Sequence, residues 1–269
     1  MRCLHAPVMP QTQDLIGLWE RSLIVWPDGT RDATTCVRWL QGREMFVDLR
    51  QPASLPDFPH ALSIDDLSLR DCACLATQQG FAGRLRFDGR HFEWARQIDF
   101  QPISPFADAG SLEWQADVLV ERGRDVEYIE HWHRDGALAT APQGAVELRE
   151  GDHGAHAVLL RVGSTFMFAR NRTMPLPAQR TLQECVAAAP TVKVARQLVD
   201  CEISAGVVAA EGFRITASTL PFRRGRLLDH QWVHDSVMTF GHRSGGAGSA
   251  QSWTIIDCEG DIGALHITR

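Results

Sequence analysis

Residues 83–100 read GRLRFDGRHFEWARQIDF. Asp88-Gly89 is a strong hairpin-turn signal between two extended runs. From 91 to 100, Phe92, Trp94, Arg96, Ile98 and Phe100 alternate with His91, Glu93, Ala95, Gln97 and Asp99. A period of two puts the first set on one face of a strand, inward, and the second on the other. The partner strand is Gly83–Phe87. One residue spoils the apolar face: Arg96, between Trp94 and Ile98.

The same alternation recurs outward from this hairpin. Residues 112–120, LEWQADVLV, put Leu112, Trp114, Ala116, Val118 and Val120 on one face. Residues 212–218 put Phe213, Ile215 and Ala217 on one face. Pro27-Asp28-Gly29 ends a first strand at about 18–26 and leads to a second at about 33–41. Gln41-Gly42-Arg43 precedes Glu44–Leu49, and Arg122-Gly123-Arg124 joins 112–120 to Asp125–His133. Val162-Gly163-Ser164 joins Ala155–Arg161 to Thr165–Arg170. Helical patterning is confined to Ser63–Gln79, with Ser63 as cap and Gly80 as stop, and to Arg180–Val199, broken at Pro190. Residues 242–250, HRSGGAGSA, read as a loop. The fold class expected is all-β: an antiparallel meander closed into a barrel, with one or two short helices. Closure removes the open edges that so many strands would otherwise expose. The 269 residues exceed one eight-stranded barrel. A single enlarged unit over 1–269 is preferred, because no linker divides the chain before 242. The alternative is two fused barrels with a boundary near 105–145. A faint similarity between Val37-Arg38-Trp39-Leu40 with Phe46-Val47 and Leu159-Leu160-Arg161-Val162 with Phe166-Met167 hints at duplication.

Composition narrows function. Hydrophobic residues make up 44% and charged residues 22%, so a packed core is expected. A net charge of −6 argues against nucleic acid as partner. No run approaches the ~18 apolar residues of a membrane helix, and without an apolar run in the first residues a secretory signal is not expected. Seven scattered cysteines do not form a disulfide framework. A cytoplasmic protein with reduced thiols is expected. Lys193 is the only lysine among 27 basic residues, so an internal cation would be a guanidinium.

Gly17-Leu18-Trp19 resembles the Gly-x-Trp that opens the barrel in lipocalins and other calycins. In that superfamily the Trp packs across the closed end, and an arginine often lies over it. Trp39-Leu40-Gln41-Gly42, Phe46–Arg50, Gln78–Gly83, Trp94-Ala95-Arg96, Ile98–Pro102 and Tyr128–Trp132 are similar to segments of a small family of uncharacterised lipocalin-like proteins. Ser218–Pro221 belongs to the same set. The resemblance covers most of 17–170 and is patchier beyond. It implies a calycin-type β-barrel and carries no known activity.

The candidate site follows from strand parity. On Asp125–His133, Val126, Tyr128, Glu130 and Trp132 share a face. If Tyr128 and Trp132 point inward, Glu130 does too. A buried charge needs a partner, so Arg96 and Glu130 are expected to meet in the lumen beside Tyr128. They would hold the polar end of a small, partly apolar ligand against Trp94, Trp114 and Trp132. A structural salt bridge plugging a filled barrel, or an arginine on Trp19, is the plainer alternative. Phe46, Asp48 and Arg50 oppose Met45, Val47 and Leu49, which suggests that Asp48 and Arg38 form an external cross-strand pair. His131 and His133 share a face, with His153 and His156 nearby, but nothing forces convergence on a metal. Surface or rim histidines are the simpler reading. Cys72-Ala73-Cys74 lacks the spacing of a redox or zinc motif, and His230–His234 is read as a loop cluster. No cofactor is expected, and oligomeric state is left open. No nucleophile elbow, phosphate loop or dinucleotide fingerprint appears. Three functions remain: a ligand-binding barrel; a calycin-type enzyme (isomerase, lyase or hydrolase) with Glu130 as general base, Tyr128 as acid or orienting group and Arg96 as stabiliser; and a structural or protein-binding barrel with a filled lumen.

Overall fold

The computed structural model describes residues 8–135, 142–151, 154–177, 180–234, 236–240 and 251–266. The fold is all-β with three short α-helices. The first nine strands are β1 Gly17–Val25, β2 Arg31–Asp32, β3 Cys36–Gln41, β4 Met45–Gln51, β5 Gln79–Phe87, β6 Phe92–Asp99, β7 Ala109–Gln115, β8 Val118–Gly123 and β9 Ile129–Asp135. They form one antiparallel meander, and β1 pairs with β9, closing an eight-stranded barrel to which the short β2 is appended.

The remaining strands are β10 Gln143–Arg149, β11 His156–Val162, β12 Thr165–Arg170, β13 Glu202–Ala209, β14 Gly212–Ser218, β15 His230–His234, β16 Val237–Phe240 and β17 Gln251–Gly260. They make a second, eight-stranded sheet in which β10 pairs with β17. Its ends are joined by the segment leading into β15. Ile215 N donates to Arg226 O at 2.9 Å, and Leu228 N donates to Phe213 O at 2.7 Å. The second sheet therefore also wraps around a core. The change of sheet falls between Asp135 and Gln143.

Both meanders have the same plan. Helix α1 (Leu69–Leu75) lies between β4 and β5. Helices α2 (Leu182–Ala187) and α3 (Val192–Val199) lie between β12 and β13, at the equivalent place. Ser68 caps α1 by accepting from Asp71 N, and Thr181 and Thr191 cap α2 and α3 in the same way. Pro190 separates α2 from α3, as its lack of an N–H requires. The helix expected from Ser63 is shorter: Ser63 caps only a 3-10 turn at Ile64–Asp66, and Gly80 lies inside β5.

Three apolar clusters fill the molecule. The first lumen holds Trp19, Trp39, Phe46, Phe81, Phe92, Trp94, Leu112, Leu119 and Trp132. The second holds Val146, Leu159, Phe166, Phe168, Phe213, Ile215, Phe240 and Trp253. Between the sheets lies a third layer, shared by Met45, Val47 and Leu49 from β4, Val158 and Leu160 from β11, Met167 and Ala169 from β12, and the helices. Strands β4, β11 and β12 are thus covered on both faces. This explains why MFVDL, AVLL and FMFA read as nearly continuous apolar runs.

Two parity readings need correction. Residues 112–120 are not one strand: Ala116, at φ 58°, and Asp117 form a two-residue turn between β7 and β8. Ala is an uncommon residue in the left-handed region, so the usual Gly or Asn signal is missing. The turn places Leu119 and Glu121 inward. A register shift opposite Ala82 and Gly83 also bulges β6 at Gln97. Phe92 and Trp94 therefore face the lumen, while Ile98 and Phe100 belong to the layer between sheets.

Candidate functional site

The first lumen is built in two tiers. At one end, five tryptophans pack ring to ring. Trp39 lies 5.7 Å from Trp19, 5.4 Å from Trp94 and 5.5 Å from Trp132, and Trp114 lies 5.8 Å from Trp19. Such stacked, tilted and edge-on pairs are favourable beyond their buried area. Trp19 Nε1 donates to Leu15 O at 2.7 Å, and the Arg134 guanidinium lies 4.7 Å from the Trp19 ring. An arginine over the opening tryptophan is what the calycin resemblance implies.

The other tier is charged. Glu130 is held by Arg21, its closest partner, and by Arg50 at 3.8 Å. Asp48 accepts from Arg50 Nε at 2.8 Å. Arg96 donates to Asp99 at 3.0 Å and to Asp108 at 2.7 Å, and its guanidinium lies 3.6 Å from the Phe81 ring. Tyr128 Oη donates to Glu121 Oε1 at 2.7 Å, and Trp132 Nε1 donates to Glu121 Oε2 at 3.1 Å.

Arg96, Glu130, Tyr128, Trp94, Trp114 and Trp132 all belong to this barrel interior or its rim. The expected Arg96–Glu130 pair does not form: Arg96 is held by Asp99 and Asp108, and Glu130 by Arg21 and Arg50. The carboxylate beside Tyr128 is Glu121. The external Arg38–Asp48 pair does not form either. Arg38 meets Glu20 outside, at 3.5 Å, while Asp48 lies inside, across from Trp39. Asp48 turns inward because Met45, Val47 and Leu49 already face the second sheet. Sequence reasoning missed Arg21, Arg50, Asp48 and Glu121. Arg21 shares parity with Trp19, and Asp48 and Arg50 with Phe46, so three of them carried a usable signal. Glu121 lay beyond the unrecognised turn.

Arg21, Arg50 and Arg96, with Arg172 beside Asp99, face the carboxyl groups of Asp48, Asp99, Asp108, Glu121 and Glu130. Glu121 has only neutral donors. Burial, with the negative charges of Glu130 and Asp108, pushes its carboxyl well above the usual range. Burial also raises Glu130 against the pull of Arg50 and Arg21, and raises Asp48 against Arg50. Tyr128 is pushed above the ordinary phenol value by burial and by Glu121. Of these carboxyls, Glu121 has no guanidinium within salt-bridge distance, so burial weighs most heavily against its charged form.

Little free volume remains. The cavity bounded by Trp39, Asp48, Arg50, Phe81, Trp94, Asp108, Glu121 and Trp132 is about 10 Å³, room for roughly one water.

The histidine readings resolve differently. His131 and His133 lie on the outer side of β9, opposite in parity to Glu130 and Trp132, and His133 Nε2 is 2.9 Å from Ser22 Oγ. His156 packs against Arg149 and Glu147, and His153 lies outside the described residues. His230–His234 is strand β15, not a loop. His230 is buried, with its ring nitrogens on Leu228 O and Leu265 O. No group of three or more metal-binding side chains converges among the described residues. No helix among them is long and apolar enough to cross a membrane.

No family model matches this chain, and no curated protein matches it. Among solved structures, the chain is similar to an uncharacterised protein, YLR301w, from Saccharomyces cerevisiae. The two share 10% identity with a TM-score of 0.51, over 91% of this chain and 99% of the yeast chain. At that identity the likeness concerns the fold alone.

Proposed function

We propose that this chain is a non-catalytic binding protein whose lumens are structural and whose small, partly apolar ligand is held outside them. One observation places the ligand outside: the cavity among Asp48, Arg50, Asp108 and Glu121, inside the lumen where a ligand was expected, is about 10 Å³. Ligand pockets measure some hundreds of Å³. The charged groups there are engaged with one another, so they serve as a plug for one end of the barrel. The calycin-type family remains part of this reading, supported by Gly17-Leu18-Trp19, the arginine over Trp19 and the closed meander.

A general base at Glu130 fits less well. Arg21 hydrogen-bonds its Oε1 and Arg50 lies 3.8 Å from the same oxygen, so the carboxylate is paired with cations rather than poised as a free base. Native mass spectrometry of freshly purified protein tests the reading. Wild type and Trp94→Phe are expected to carry the same small-molecule adducts, or none. A stoichiometric adduct that is lost in a folded Trp94→Phe variant would place the ligand in the lumen and overturn the proposal.

A further inference from the structure

A groove of about 710 Å³ runs along the seam between the two sheets. One side is the segment from Gln51 to Leu62, which follows β4; the other is the end of β14 with Pro221 and Phe222. Its volume lies within the range of small-molecule sites, which favour such junctions. Leu55, Phe58 and Phe222 supply an apolar wall, and Leu62, 66% exposed, extends it toward solvent. Pro52, Pro56 and Pro59 restrict the backbone of the first side, so the wall needs little ordering when a ligand arrives.

The charge of this groove is opposite to that of the chain. The protein carries −6 overall, yet three arginines and one aspartate line the groove: Arg38, Arg224, Arg226 and Asp57. The arginines are loosely engaged. Arg38 meets Glu20 at 3.5 Å, Arg224 meets Asp57 at 3.6 Å, and Arg226 meets Leu62 O at 3.4 Å. In the lumen, by contrast, Arg50 and Arg96 sit 2.7–3.0 Å from their closest carboxylates. Exposed pairs at the longer distances contribute little and exchange readily for a better anion. A guanidinium beside an apolar wall suits a planar carboxylate with a hydrocarbon body.

Resting on the reading that the ligand lies outside the lumens, we infer that this groove binds a single-headed amphiphilic carboxylate. Its apolar body lies along Leu55, Phe58 and Phe222, and its carboxylate is held by Arg38, Arg224 and Arg226.

Isothermal titration of the full chain with decanoate and with decanol tests the inference. Decanoate is expected to bind at one saturable site, about tenfold or more tighter than decanol. The triple variant Arg38→Ala/Arg224→Ala/Arg226→Ala, with an unchanged melting temperature, is expected to lose about tenfold or more in decanoate affinity. Asp57→Asn, which removes the competing carboxylate, is expected to bind decanoate more tightly. Equal affinity for decanol, no saturable decanoate binding, or a triple variant that binds like wild type would overturn the groove assignment and leave the filled-lumen reading standing. Decanoate binding that is lost in Trp94→Phe and kept in the arginine variant would overturn both.

Discussion

The two sheets share one plan and fill it with different chemistry. In each, first and last strands pair, helices follow the third strand of the closed meander, and the junction between fifth and sixth strands is weak. In the first barrel only Phe92–Gly110 and Glu93–Ala109 pair across that junction. In the second, the Arg226–Leu228 segment bridges it. The equivalent interiors differ. Phe46, Asp48 and Arg50 alternate inward on β4; Phe166, Phe168 and Arg170 occupy the matching places on β12. Where the first lumen has Asp48, the second has Phe168, stacked on Phe240 at 5.1 Å. In the second, Arg170 pairs with Asp200 and Arg223 with Glu202. In the first, Glu121 is buried without a guanidinium partner, and its carboxyl is pushed well above the usual range. The backbone plan therefore tolerates either filling. The price of the charged one is a network in which each member depends on the rest.

Arg50→Met gives the sharpest contrast. It leaves Asp48 and Glu130 buried with less compensation and is expected to cost about 3–5 kcal/mol at neutral pH. Because the apolar layer joins both sheets, the loss should appear as one shifted urea transition rather than as a separate early one. A cost near zero would mean the network contributes nothing that packing does not.

Arg96→Met is next. Arg96 ties β6 to Asp108, just before β7, across the junction with the fewest strand pairs. Losing its two charged partners is expected to cost about 2–3 kcal/mol. The Trp94 N–H, which donates to Asp108 O at 2.8 Å, should exchange faster with solvent. Unchanged exchange there would remove Arg96 from any role in closing the barrel.

Phe168→Leu, at the position matching Asp48, should cost only about 1 kcal/mol, since hydrophobic swaps of similar volume are tolerated. A cost as large as that of Arg50→Met would erase the contrast between the lumens.

The remaining contrast is a pH slope. The folded pKa of Glu121 lies well above its ordinary value of 4.5. Between those two values the folded chain keeps a proton that the unfolded chain releases. Stability is therefore greatest below the ordinary value and declines as pH rises toward the folded pKa, and Asp48 and Glu130 add to the same slope. Glu121→Gln, neutral at every pH, is expected to flatten the decline between pH 5 and 8 by roughly 1–2 kcal/mol. A wild-type stability that rises over that interval would contradict the assignment of the proton.

Alternation and turn signals made the all-β meander legible, and the Asp88-Gly89 hairpin falls between β5 and β6 as expected. Parity also brought Glu130, Trp94 and Trp132 inside correctly. It failed where a residue without a turn signature made a turn, at Ala116, and where a bulge changed the face of β6 at Gln97. Both errors displaced charged partners. Glu121 took the place beside Tyr128 assigned to Glu130, and Asp99 and Asp108 took Arg96.

The sequence by itself determined the all-β class, the antiparallel meander and the presence of charge among inward aromatics, because alternation and turn chemistry are local. Tertiary structure alone decided which carboxyl meets which guanidinium, that a second sheet covers Met45, Val47 and Leu49 and so turns Asp48 inward, and that the lumen is full. Those outcomes depend on register between strands distant in sequence and on the summed volume of side chains, and neither is written in any one segment.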